Sequence, residues 1–292
     1  MPFTVQLGLL LALATAFVSI LGFLYKYRGA VEAPAVEWRH PVRSTMALFQ
    51  SKWWTLGIIV ATSSWFLHVA ALSLAPISLV QSVIAGGLVM LTVVAERMFG
   101  IGVTKREWIG VALTAAGLAF LAATLGDTGD GKHSDYETGT LAIYVGGLAL
   151  ISLAPMVYAM GGRAHAGVLL AASAGMQWGA SDVAIKAASG GFGDDGIVAT
   201  FFGPLTIVIT VLSLVGLVVS ARSLQIGDAV PVIAITSAAA NLCTIASGLI
   251  VFGEPLPEGD LNVVLRMLAF ALVVTAAALT PGPVGAAERS AV

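Results

Sequence analysis

Asp182 and Lys186 stand four residues apart in an otherwise apolar segment, so on a helix a carboxylate and an ammonium share one face within reach of each other. Two readings follow. Asp182, about a turn deeper than Lys186, is a candidate proton or cation site, and if a metal ion binds at all it is the residue to hold it. Alternatively the two form a neutralised ion pair that holds helices together, with Lys186 able to snorkel to the interface. Ser173, Gln177 and Ser181 approach Asp182 at steps of four, with Trp178 alongside. A second segment places Ser237, Asn241, Thr244 and Gly248 at steps of four, three and four. Polar stripes of this kind either line a wet cavity for a substrate or coupling ion, or serve as hydrogen-bonding contacts between helices. Asn241 lies near the middle of its segment, where an amide needs a partner or water. A third segment opens with Gln81-Ser82 and continues with Ala85-Gly86-Gly87, small enough for a backbone or a solute to approach. His68 is an imidazole among Phe66, Leu67 and Val69, suited to proton coupling or to a structural bond with a carbonyl.

The elements that carry these residues belong in lipid. Hydrophobic residues make up 58% of the 292 and charged residues 10%, with a mean hydropathy of +0.95; a soluble domain carries roughly 25% charged residues. Segments near 5–24, 54–73, 77–98, 106–125, 140–160, 166–188, 197–219, 228–252 and 261–280 are each long and apolar enough for a hydrocarbon core about 30 Å thick. The spacing therefore predicts an all-α integral membrane protein with nine transmembrane helices. Residues 25–53 form a basic loop, with Trp38, Trp53 and Trp54 as interfacial anchors. The first apolar run has no basic residue before it and a basic cluster after it, the reverse of a cleavable signal peptide. The lone Cys243 excludes a disulfide framework and a cysteine metal cluster.

Basic residues are retained in cytoplasmic loops. With the N-terminus outside and the C-terminus cytoplasmic, eleven of the twelve loop Lys and Arg fall inside, Lys26 among them, and only Lys132 falls outside. The outer side then gathers Asp127, Asp130, Asp135, Glu137, Asp194, Asp195, Glu254, Glu258 and Asp260. They could concentrate cations at an entrance, or simply lie where basic residues are excluded.

One segment occurs twice. Residues 71–81 lead into a helix ending Phe99-Gly100-Ile101, and residues 221–231 lead into one ending Phe252-Gly253-Glu254. Leu74 aligns with Leu224, Ser78 with Asp228, and Val80 with Val230; upstream, Lys26 aligns with Lys186. Ser78 and Asp228 suit N-caps, and Pro231 falls in a first helical turn. The chain thus reads as two inverted four-helix repeats joined by one linking helix, 4+1+4. Residues 1–125 form the first repeat, 126–165 an outer acidic loop and the linking helix, 166–281 the second repeat and 282–292 a cytoplasmic tail. Inverted repeats are how many secondary transporters build a site near the bilayer midplane.

These residues resemble the drug/metabolite transporter superfamily, and Ala75-Pro76-Ile77-Ser78-Leu79-Val80 with the nine-helix layout is most similar to its NIPA-type branch of magnesium transporters. The resemblance implies a multi-pass transporter in the plasma or inner membrane. The Glu implied after the first Phe-Gly turn is Ile101 here, whereas Glu254 keeps it in the second, and Gln81 departs from the usual Thr or Pro. The sequence holds no P-loop, no helical His-Glu-x-x-His and no Ser-His-Asp set, so it reads as no enzyme, with no cofactor and no nucleic-acid partner. The expectation is a functional monomer in the lipid bilayer that moves a small solute by alternating access. Transport of Mg²⁺ is an alternative, although one deep carboxylate is a sparse donor set for it; a non-transporting membrane subunit or a lipid-carrier translocator is another. Transport requires that Asp182→Asn and Asn241→Leu abolish activity while expression is kept; a scaffold requires lost stability or no effect.

Overall fold

The computed structural model describes residues 3–37, 40–123, 135–160, 165–190, 202–254 and 259–279, all helix and connecting turns. In chain order the helices are α1 (Phe3–Glu32), α2 (Pro41–Leu48), α3 (Lys52–Leu74), α4 (Ile77–Gly86), α5 (Leu88–Phe99) and α6 (Lys105–Ala123). They are followed by α7 (Thr138–Met160), α8 (Ala166–Ser189), α9 (Pro204–Ile226), α10 (Ala229–Ile250) and α11 (Asp260–Leu279). Every apolar segment expected from the sequence overlaps a helix. The expected acidic residues 127, 130, 194, 195 and 258, Lys132, Arg163, Trp38 and the 282–292 tail lie outside the described residues.

Several boundaries differ for local reasons. α1 has no Gly-Pro or Asn-Gly stop near residue 24 and runs on to Glu32, which draws Lys26 out of the expected loop and into the bundle. α9 begins at Pro204, whose missing N–H costs nothing in a first turn, and continues to Gly227. The third expected span is two helices: α4 and α5 meet at Gly87, where an added Cβ would lie 2.6 Å from the Ala16 Cβ. A glycine pair is a common place for a helix to bend. Asp228 sits at the N-cap of α10 but makes no side-chain cap bond there. Trp54, expected as an interfacial anchor, is fully buried; the absence of a side chain at Gly29 lets the Trp54 backbone approach so closely that a Cβ would meet its nitrogen at 2.2 Å.

Five helices among the described residues are long and apolar enough to cross a membrane: α1, α3, the Thr138–Ala159 part of α7, α9 and α10. Their outward faces carry Leu10, Ile59, Phe66, Ile143, Leu150, Ile207 and Val211, all exposed. The interior gathers Ser, Thr, Gln, Asn, His and Lys side chains. Apolar outside and partly polar inside is the arrangement a lipid solvent favours. α8 is the most enclosed helix, wrapped by α7, α9 and α10, which is why it tolerates a polar sequence.

Packing is organised in matching pairs. α1 packs most extensively on α3, and α8 on α9; α1 also touches α9 while α8 touches α3; α4 meets α10 and α6 meets α11. Both Phe-Gly turns close alike. Gly100 (φ 64°) and Gly253 (φ 60°) take the left-handed conformation that glycine adopts without strain. The following N–H then bonds back across the last turn, Ile101 to the Ala95 carbonyl at 3.0 Å and Glu254 to the Gly248 carbonyl at 2.8 Å.

Candidate functional site

A cavity of about 770 Å³ opens between α1, α3, α4, α8, α9 and α10. Close helix crossings frame it, because Gly22 meets the Ala61 backbone on one side, while Gly175 and Gly179 meet the Thr236 and Ala240 carbonyls on the other. The volume is within the range of small-molecule sites, and its walls combine apolar surface with polar side chains from every lining helix.

The polar focus is a triangle contributed by three helices. His68 on α3 places its Nε2 3.1 Å from Asp182 Oδ1 on α8. Gln81 on α4 donates from Nε2 to Asp182 Oδ2 at 3.2 Å, and the same nitrogen lies 3.5 Å from His68 Nε2. With Nε2–H turned to Asp182, the second ring nitrogen, Nδ1, is buried without a partner. The neutral ring therefore hides a free lone pair, and the protonated ring a free donor. Asp182 is 19% exposed at its side chain, so it reaches the cavity while His68 and Gln81 hold it from behind. The hydroxyls of Ser181 and Ser213 are bonded to each other at 3.0 Å on the same wall. Asn241 donates from Nδ2 to the Ser237 carbonyl at 2.8 Å, and its Oδ1 is buried without a partner beside the cavity.

Of the residues singled out from sequence, Asp182, Ser181, Trp178, Asn241, Ser237, Gln81 and His68 line this cavity. Three do not. Gln177 points at the linking helix α7, where it donates to the Ser152 hydroxyl, and Ser173 donates to the Ser152 carbonyl at 2.8 Å. A step of four advances the helix face by about 40°; the stripe from Ser173 to Ser181 therefore wraps from α7 round to α9. Thr244 is fully buried and bonds back to the Ala240 carbonyl of its own helix at 2.9 Å.

Lys186 corrects the expected ion pair with Asp182. Its ammonium donates to the carbonyls of Leu72 and Ala75 at 2.7 and 2.9 Å, and the Glu254 carboxylate acts on it electrostatically. The cause lies in α3. Pro76 has no N–H to offer the Leu72 carbonyl, so the end of α3 has acceptors that lack helical donors, and the long Lys186 side chain supplies them. Asp182, a turn earlier, is left to His68 and Gln81.

Lys26, Thr15 and Ser19, none of them a site residue expected from the sequence, also line the cavity from α1. Lys26 is 4% exposed, with Nζ 4.1 Å from the Phe23 ring centroid and 5.0 Å from that of Trp178. Its signal was present: Thr15, Ser19, Gly22 and Lys26 recur at steps of four, three and four, the same periodicity that marks α10. Reading Lys26 as a loop charge hid it. Among the described residues, no group of three or more His, Cys, Asp or Glu side chains converges as a metal site.

No protein-family model, curated protein or solved structure matches the chain.

Proposed function

We propose that this chain is a secondary transporter that moves a small solute across a cell membrane by alternating access, with Asp182 and His68 carrying a coupling proton. The observation that carries the reading is the cavity itself: ionisable and amide groups from α3, α4, α8 and α10 converge on a space of about 770 Å³ inside a bundle whose outer surface is apolar. A mere scaffold would close that space with side chains. The paired packing, α1 with α9 and α8 with α3, supports two inverted four-helix units joined by α7, the nine-span 4+1+4 layout; the distribution of Lys and Arg favours the N-terminus outside and the C-terminus cytoplasmic. The arrangement accords with the drug/metabolite transporter superfamily.

The proton step uses groups already in contact. A proton on His68 gives a cation in contact with the Asp182 carboxylate; loss of that proton leaves the carboxylate with no cation in contact. The two states favour different degrees of water access, which is the differential free energy an alternating mechanism needs. Around Asp182 the nearest side chains are one imidazole and one amide, a thin oxygen shell for Mg²⁺. An organic solute against the apolar walls is the substrate class favoured here.

The test needs no known substrate. In a Cys243→Ser background, Ser213→Cys places a single thiol on the cavity wall, and a membrane-impermeant thiosulfonate is applied to right-side-out cells and to inverted vesicles. Alternating access requires labelling from both faces. Labelling from one face only, or from neither, refutes it. A Tm rise with MgCl₂ that is lost in Asp182→Asn would move the assignment to the divalent-cation branch.

A further inference from the structure

We propose that Lys26 anchors the anionic group of the solute, which makes the substrate class a small organic oxyanion, a carboxylate or a phosphate ester. This deepens the transporter reading and rests on it for the word substrate, though not for binding.

The argument comes from comparing two lysines that occupy equivalent places in the repeat. Lys186 is partnered: two carbonyls of α3 accept from it and Glu254 supplies negative charge. Each of those partners depends on a residue that the other unit lacks. The position equivalent to Pro76 is Ile226, whose N–H keeps the α9 carbonyl four residues earlier inside the helical ladder. The position equivalent to Glu254 is Ile101, which packs into the apolar cluster around Leu24 and Leu224. Lys26 therefore reaches the interior with neither an orphaned carbonyl nor a carboxylate waiting for it. Among the described residues, its Nζ has no hydrogen-bond acceptor and no ion-pair partner, only the faces of Phe23 and Trp178.

A buried ammonium presents three donors, and two aromatic rings satisfy none of them as hydrogen bonds. Removing such a charge from water is costly unless an opposite charge is supplied. Asp182 lines the same cavity but is engaged by His68 and Gln81, so a negative charge in direct contact with the Lys26 ammonium comes from what enters the cavity, which Lys26, Phe23 and Trp178 all line. The rings and the neighbouring Ile58 and Leu217 give the anion's carbon skeleton an apolar seat, and the volume exceeds what an inorganic anion alone would fill. Asp182, on the same helix face as Trp178 and one turn further along, sets the opposite sign at the other part of the cavity and orients the solute.

The experiment compares Tm for the detergent-purified full chain, Lys26→Met, Lys26→Arg and Lys186→Met, each with benzoate, pyruvate or phenyl phosphate, and with benzamide as the neutral control. The anion that fits should raise Tm by about 3 °C or more at ten times its Kd. That shift should vanish in Lys26→Met, persist in Lys26→Arg and be absent with benzamide. Without ligand, Lys26→Met should melt no lower than the parent, because it removes an unpaired charge, whereas Lys186→Met should melt well below it. The proposal is overturned if no anion shifts the parent, if the shift survives in Lys26→Met, or if Lys26→Met melts as low as Lys186→Met. The two-faced labelling of Ser213→Cys does not involve Lys26. Its failure alongside a Lys26-dependent shift would leave an anion-binding protein that does not transport.

Discussion

Replacing Lys186 by methionine tests the tertiary logic of the bundle most directly. Lys186 is 1% exposed, and its ammonium makes two charge-assisted bonds, at 2.7 and 2.9 Å, to carbonyls at the end of α3. Each hydrogen bond to a charged group contributes about 1.5–3 kcal/mol, and an abandoned buried carbonyl costs about 1–3 kcal/mol. Glu254 also loses the positive charge that acts on it. Against these stands the relief of no longer desolvating an ammonium, and polar contacts in membrane bundles tend toward the low end of such ranges. The net loss should be about 3 kcal/mol, which at about 2–4 °C per kcal/mol lowers Tm by roughly 6–12 °C. The assay is thermal unfolding with a thiol-reactive fluorophore, for which the single, partly buried Cys243 is a built-in reporter. Scans must share one heating rate, since membrane proteins often unfold irreversibly. A Tm within about 2 °C of the parent would refute the argument that α3 is closed by a lysine from α8.

Asp182→Asn should lower Tm only slightly, because its one amide oxygen still accepts from His68 Nε2 and its NH2 can donate to the Gln81 carbonyl oxygen once that amide turns over; a large loss of Tm would make Asp182 structural. Asn241→Leu removes a buried Oδ1 that has no partner, so stability should hold or rise by about 1 kcal/mol while binding of the cavity ligand is lost; a strongly destabilised variant in the same melt would contradict this. Gly29→Ala forces a Cβ to 2.2 Å from the Trp54 nitrogen and should cost about 1–3 kcal/mol. Gly146→Ala on α7 meets nothing within 4 Å and should be neutral or slightly stabilising, and equal Tm values for the two would count against the α1–α3 contact.

Much of the architecture is local and was therefore legible in the chain. Apolar length selects the helices, Phe99-Gly100 and Phe252-Gly253 end them through left-handed glycines, and Pro76 separates α3 from α4. The likeness of residues 71–81 to 221–231, each run leading into a helix that ends in a Phe-Gly turn, is also a property of residue order. Which face of a helix meets which neighbour is not local. Ser173, Gln177 and Ser181 look like one stripe, but an advance of about 40° per step sends Gln177 to α7 and Ser181 to the cavity. Lys26 and Lys186 are alike in type, setting and alignment. Their fates diverge because one lies against a proline-broken helix end and a carboxylate, and the other against the Phe23 and Trp178 rings and an open cavity. Composition and periodicity determine that such side chains sit in helices at all; only the docking of helix on helix decides which buried charge is satisfied, since its partners come from residues distant in the chain.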